Sequence, residues 1–127
     1  IWAKPVVMIM VRKSRYTYEL LERSSEFTIS FPAENKLKQE LAFCGTKTGR
    51  ELDKFKECRL TPLPGRKLDT PIIGEAELHY ECKVIYKQEL DNTVLTSEID
   101  KVWYSDKDYH TMYFGEILCS YLTDSKE

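Results

Sequence analysis

Two short polar stretches carry the residues best suited to chemistry. Ser14-Arg15-Tyr16-Thr17 falls where an apolar run ends and a helical pattern begins. The free amides at a helix start attract phosphate, and an arginine and hydroxyls beside them add charge-assisted hydrogen bonds. Gly45-Thr46-Lys47-Thr48-Gly49-Arg50 holds two hydroxyls, two cations and two glycines just before a second helical pattern. Its order is not the GxxxxGK[ST] of a nucleotide-binding loop. Each stretch also has a plainer reading, the first as a helix cap with solvated arginines, the second as a solvated connection. Two of them in one short chain favour a phosphate held between them. His110 follows the acidic turn Asp106-Lys107-Asp108 and opens an apolar strand. It is either a strand-end residue bonded to local backbone or part of a site.

Other chemistries find little support. No GxSxG elbow and no HExxH motif is present. Glu75 and Glu77 lie close together, but nothing marks them as a general acid and base. The four cysteines (Cys44, Cys58, Cys82, Cys119) contain no CxxC pair and lack the spacing of a disulfide framework. His79-x-x-Cys82 comes nearest to metal spacing, yet residues three apart on a strand point to opposite faces. We therefore expect no metal, and reduced, mostly buried thiols in a cytoplasmic protein.

A chain of 127 residues fits one domain, residues 1–127, with one ordinary core. At 42% hydrophobic and 31% charged residues it is globular rather than disordered. A formal net charge of −2 argues against a dedicated nucleic-acid binder. The longest apolar run, Val6 to Val11, falls far short of the ~20 residues that cross a bilayer, so no membrane partner is expected. The chain opens Ile1-Trp2-Ala3-Lys4-Pro5 without an initiator methionine or a signal-peptide pattern, and we expect a natural N-terminal segment to precede it.

The elements that must position the polar stretches follow from periodicity. Val6–Val11 reads as a strand covered on both faces. Tyr16–Ser24 reads as a short helix with Leu20 and Leu21 inward and Ser14 as a nearby cap. Glu26–Phe31 alternates as a strand. Leu37, Leu41 and Cys44 recur at helical spacing, with Gly45 closing that helix. Glu51–Glu57 predicts a turn or two of helix anchored by Leu52 and Phe55. Thr61–Pro71 is rich in turn residues and belongs mostly at the surface, and Ile72-Ile73 forms a short strand or edge. From Leu78 to Tyr86 the even positions predict a buried face and the odd ones, His79 and Glu81 among them, a wet face. Thr111–Leu122 carries large apolar groups on both faces, as expected of a barrel wall that also meets a partner subunit. Leu90–Tyr109 reads as a hairpin arm around Val102-Trp103-Tyr104. Mostly strands punctuated by short helices give a small antiparallel barrel.

Four stretches in order resemble the flavin reductase-like, FMN-binding split-barrel family (flavoredoxin-like), and they span nearly the whole chain. They are Lys4 to Leu20, Cys44 to Phe55, Glu75 to Val84, and His110 to Ile117, the second and fourth being the most specific. The resemblance implies a mainly β fold, a small antiparallel Greek-key split barrel with short flanking helices, that dimerises and binds FMN beside the subunit interface. It implies that the Ser14-Arg15-Tyr16-Thr17 turn and the loop Thr46, Lys47, Thr48, Gly49 and Arg50 surround the ribityl phosphate. It likewise implies that Thr17, Lys54 and His110 lie close to the flavin ring, with Lys54 and His110 in the chemistry. A cation at Lys54 would stabilise the anionic reduced flavin. Two departures stand out: the family's leading segment, with an Asn and a Trp shielding the flavin, has no counterpart, and the 90–109 arm is long.

The function implied is an oxidoreductase in which NADH or NADPH reduces bound FMN, with electrons passing on to a flavin, an iron species or a redox protein. A non-catalytic FMN-binding electron-transfer module and a barrel interaction domain without cofactor are the alternatives. No dinucleotide fingerprint separates NADH from NADPH.

Overall fold

The computed structural model describes residues 1–123. Four strands form one antiparallel sheet: β1 (Val6–Arg12), β2 (Glu26–Phe31), β5 (Leu78–Glu89) and β6 (His110–Leu122), in the order β1-β6-β5-β2. A two-stranded ribbon, β3 (Pro62–Leu63) with β4 (Ile72–Ile73), lies beside it. Short helices punctuate the chain: α1 (Tyr16–Ser24), α2 (Lys38–Thr46), α3 (Lys54–Glu57) and α4 (Ser97–Trp103). The sheet is mostly antiparallel and curls into a half-barrel around its long central pair, β5 and β6, whose register shifts twice. Such irregularities bend strands and let a sheet curl.

The core is small. Leu21 of α1, Phe27 of β2, Cys82 of β5 and Tyr113 of β6 are buried together, with Val7, Ile9 and Val11 of β1 packed against them. Gly115 of β6 lets this packing happen. A Cβ there would sit 2.6 Å from Phe27 Cζ and 3.0 Å from Cys82 Cβ. α1 ends where Ser25 enters the left-handed region at φ 55°, its amide closing on the Leu21 carbonyl at 2.9 Å.

Several sequence expectations are corrected. β1 is an edge strand with one covered face: Val7, Ile9 and Val11 pack inward, whereas Met8 and Met10 are over 40% exposed within the chain. Leu20 is likewise 43% exposed, leaving Leu21 alone as the buried residue of α1. Gly45 lies inside α2, which runs on to Thr46 and caps at Lys47. The helix expected over 51–57 shortens to Lys54–Glu57, because the Asp53 side chain accepts from the Lys56 amide and sets its start there. The arm around Val102-Trp103-Tyr104 is no hairpin but α4, preceded by a 3₁₀ turn at Asn92–Val94 that Asp91 caps. Of the four thiols only Cys82 is buried; the other three are half-buried.

The largest correction concerns β5. His79 and Glu81 are fully buried, not wet. Alternation along β5 holds, but the 61–76 segment wraps the odd face as far as Glu81, with Ile72 and Ala76 buried against it; only from Lys83 onward is that face open. Glu81 accepts from the amides of Arg66, Lys67 and Leu68 at 2.7–2.9 Å and from the Tyr121 hydroxyl. Burial would raise its pKa, but the bonds from Tyr121 and the three amides outweigh that and hold it at about 2. Gly65 leaves the room this loop needs, since a Cβ there would meet the Leu68 carbonyl oxygen at 2.7 Å. His79 is satisfied at both ring nitrogens, by Ser30 Oγ at 2.9 Å and Thr123 Oγ1 at 2.8 Å.

Candidate active site: a cationic cavity at the start of α1

A cavity of about 940 Å³ opens where β1 runs into α1. That falls within the ~300–1,000 Å³ range of cofactor and ligand pockets. The end of β1 and the start of α1 form one wall, residues 44–55 the second, and His110 closes the β6 side. Ser14, Arg15, Tyr16, Thr17, Lys47, Thr48, Gly49, Arg50, Lys54 and His110 all line it. Thr46 does not. Its hydroxyl turns back on the last turn of α2, donating to the carbonyls of Ala42 and Phe43 at 3.2 and 3.1 Å.

The lining is strongly basic: Arg12, Arg15, Lys47, Arg50 and Lys54 face only Glu51 and Asp53. These cations are not equivalent. Arg50 ties the two walls together, holding Glu19 through Nε (3.1 Å) and Nη2 (3.0 Å) and donating from Nη1 to the Ser14 carbonyl at 2.9 Å. Gly49 allows that approach, because a Cβ there would come within 3.0 Å of the Tyr16 ring. Lys54 Nζ donates to the Cys44 carbonyl at 2.6 Å, and Arg12 binds the carbonyls of Trp103 (2.9 Å) and Asp108 (3.2 Å). Arg15 and Lys47 are exposed and make no ion pair among the described residues.

The start of α1 is equally open. Arg15 is its N-cap residue, in extended conformation, and gives no side-chain cap. Ser14, the expected cap, instead uses its amide and hydroxyl on the Asp108 carboxylate. The Tyr18 amide closes on the Arg15 carbonyl at 3.1 Å, and the amides of Tyr16 and Thr17 are left for another acceptor, at the end of the helix where partial positive charge collects. Uncapped amides, two uncommitted cations and apolar surface from Met10 and Leu20 suit a ligand with an anionic tail and an apolar body.

His110 does not cap Asp108. Its Nδ1 shares a 2.6 Å hydrogen bond with the hydroxyl of buried Tyr104, leaving Nε2 without a protein partner among the described residues. Burial, and then the charge of Arg12, push its pKa down, so the ring is neutral at neutral pH. Tyr104 stacks on Tyr109 at 4.8 Å between ring centroids, and Arg12 lies 5.1 Å over its ring. The long arm therefore positions this histidine from behind. Sequence reading missed Tyr104, Glu19 and Asp108 as site-builders; their partners lie 6, 31 and 94 residues away, beyond any local pattern.

The curled antiparallel half-barrel with a few short helices is the fold of the split-barrel flavin reductases. The family model for the flavin reductase like domain matches residues 3–121, and the chain belongs to that family. Among solved structures, flavoredoxin of Desulfovibrio vulgaris (Miyazaki F) is 27% identical at a TM-score of 0.73, covering 95% of this chain and 55% of its own. NADH:FAD oxidoreductase from Streptomyces globisporus C-1027 shares the fold at 21% identity and a TM-score of 0.69, covering 100% of this chain and 64% of its own. An uncharacterised protein of Pyrococcus abyssi is 30% identical over 115 residues, 89% of this chain and 54% of the relative. The chain thus spans about half the length of the curated relative and of the flavoredoxin. Among the described residues no helix is long and apolar enough to cross a membrane, and no cluster of three or more His, Cys, Asp or Glu side chains fits a metal.

Proposed function

We propose that this chain binds FMN in the cationic cavity and acts as a flavin reductase-type oxidoreductase, NADH or NADPH reducing the flavin and a second flavin, an iron species or a redox protein taking the electrons. The observation that carries this is the uncapped start of α1 beside two cations, Arg15 and Lys47, with no protein partner among the described residues. That arrangement answers a terminal phosphate, through the amides of Tyr16 and Thr17, Arg15, Lys47 and the hydroxyls of Thr17 and Thr48, whereas the Ser14 hydroxyl is already given to Asp108. Bound FMN supplies reversible two-electron, hydride-accepting chemistry. Lys54, on the 44–55 wall, and His110, on the β6 side, also line the cavity, and there a cation and a neutral imidazole would meet the ring system. Relatives that carry flavin chemistry in their names support the reading. Mixing the FMN-loaded protein with NADH or NADPH in a stopped-flow instrument tests it. The flavin absorbance should bleach; a flavin that stays oxidised with both nucleotides would reduce the protein to an FMN-binding electron-transfer module.

We further propose that the chain works as a homodimer. Met8, Met10 and Tyr86 are 43–44% exposed, and Trp2 meets Tyr86 and Phe114 edge-on at about 6 Å. Such a patch on one face of an edge strand suits a self-complementary contact. Sedimentation at micromolar concentration should show a dimer, and a monomer would count against it.

A further inference from the structure

The two histidines of the chain use their ring nitrogens differently. His79 spends both, on Ser30 Oγ and Thr123 Oγ1. His110 spends only Nδ1, on the Tyr104 hydroxyl at 2.6 Å. Tyr104 is buried and does not line the cavity, whereas His110 does, which leaves the Nε2 edge of its ring for a ligand.

Which nitrogen carries the proton follows from the phenol. A tyrosine hydroxyl has one proton to donate, and that of Tyr104 has no other partner among the described residues. Were Nδ1 protonated, it would donate to the phenol oxygen and strand the phenol's own proton in a buried place, which costs free energy. The pairing without that cost has the phenol donating to a bare Nδ1, so the neutral ring carries its proton on Nε2. His79 obeys the same logic: Thr123 Oγ1 donates to the Ala76 carbonyl at 3.1 Å and so accepts from Nε2–H.

We propose that Tyr104 is a positioning residue for His110, its hydroxyl holding the imidazole in the Nε2–H tautomer. The β6 side of the cavity then presents a hydrogen-bond donor, and it selects a ring system that brings a carbonyl oxygen or an unprotonated ring nitrogen to that edge. Tyr104 is itself kept in place. Its ring stacks on Tyr109, whose hydroxyl is given to Asp100, and Arg12 lies 5.1 Å over it. Asp100 lies in α4 and Tyr104 caps its end, so the 90–109 arm sets what His110 offers. That the acceptor belongs to a flavin rests on the function proposed above; the tautomer does not.

Nitrogen NMR of the full chain, isotopically labelled at histidine and free of ligand, reads the tautomer at mildly alkaline pH, with His110→Ala assigning the signals. In the unmodified chain, His110 Nε2 should resonate as a protonated imidazole nitrogen and Nδ1 as a bare one. The Nδ1 signal should move in Tyr104→Phe, which keeps the ring and loses the hydroxyl. A protonated Nδ1, or an Nδ1 signal unchanged in Tyr104→Phe, would overturn the proposal. In flavin titrations Tyr104→Phe should weaken FMN and riboflavin equally, several-fold, because the weakened contact lies on the ring and not on the phosphate. A loss confined to FMN, or no loss with either, would overturn the acceptor at that edge. An unmodified chain that binds neither flavin would overturn the flavin reading and the ring acceptor with it, while the nitrogen signals still decide the tautomer.

Discussion

At the β5–β2 side of the sheet, Glu81 accepts four hydrogen bonds and His79 is satisfied at both nitrogens, all from protein. At the β1–α1 turn, Arg15, Lys47, the amides of Tyr16 and Thr17 and His110 Nε2 have no such partners among the described residues. Both regions are rich in polar groups held by loops. They differ in where their hydrogen-bonding capacity goes. Buried polar groups that satisfy one another fix a structure, because leaving any of them unpaired costs free energy. Polar groups left unspent around a cavity are available to a ligand. The comparison separates a structural anchor from a candidate site without reference to any relative.

Breaking the anchor should give the largest effect. Glu81→Ala would strand three amides and the Tyr121 hydroxyl in a buried place, a loss on the order of 3 kcal/mol or more in urea unfolding. FMN affinity measured below the transition should change little. The anchor also fixes the direction of acid sensitivity. Glu81 has a folded pKa of about 2, below its ordinary value of 4.5, so its contribution is full above 4.5 and is lost as pH falls toward 2. The His79 pKa is pushed down by burial from 6.5, so its share begins to fade below that pH. Stability should therefore decline below about pH 6.5 and steeply below 4.5, and a flat profile across that range would contradict both assignments.

The site should respond in the opposite way. His110→Ala is expected to lower the maximal rate of flavin reduction about tenfold, a loss of alignment in the transition state rather than of uniform binding. Its stability cost should stay near ~1 kcal/mol, the cost of the lost bond to the Tyr104 hydroxyl. A wild-type reduction rate combined with a lowered melting temperature would move His110 to the structural side of the comparison.

Much of this was legible in the sequence. Strict alternation marks Glu26–Phe31, and a strand–helix junction rich in hydroxyls and cations marks the Ser14–Thr17 turn. Ten candidate residues meet around one cavity because both polar stretches precede helical patterns beside the first strand. What sequence hid was long-range cover. His79 and Glu81 look wet because only the wrapping of the 61–76 segment, a tertiary event, removes them from water. The segment around Val102-Trp103-Tyr104 looks like a strand because its large residues suit one, yet Thr96 to Asp100 start a helix whose end holds His110. Arg50 looks like a phosphate ligand, but Glu19 and the Ser14 carbonyl already occupy it.

The difference between committed and uncommitted cations is what the central claim rests on, and one titration addresses it directly. FMN and riboflavin binding, followed by flavin fluorescence, should be compared for the unmodified chain and for Arg15→Ala, with Arg50→Ala alongside. The account predicts that Arg15→Ala weakens FMN by roughly ten- to a hundredfold, the value of one charge-assisted contact at about 1.5–3 kcal/mol, while riboflavin affinity and the melting temperature hold. Arg50→Ala should lose FMN affinity and stability together, since it also frees the two walls. Equal losses for FMN and riboflavin in Arg15→Ala, or no preference for FMN in the unmodified chain, would contradict a phosphate site at the start of α1.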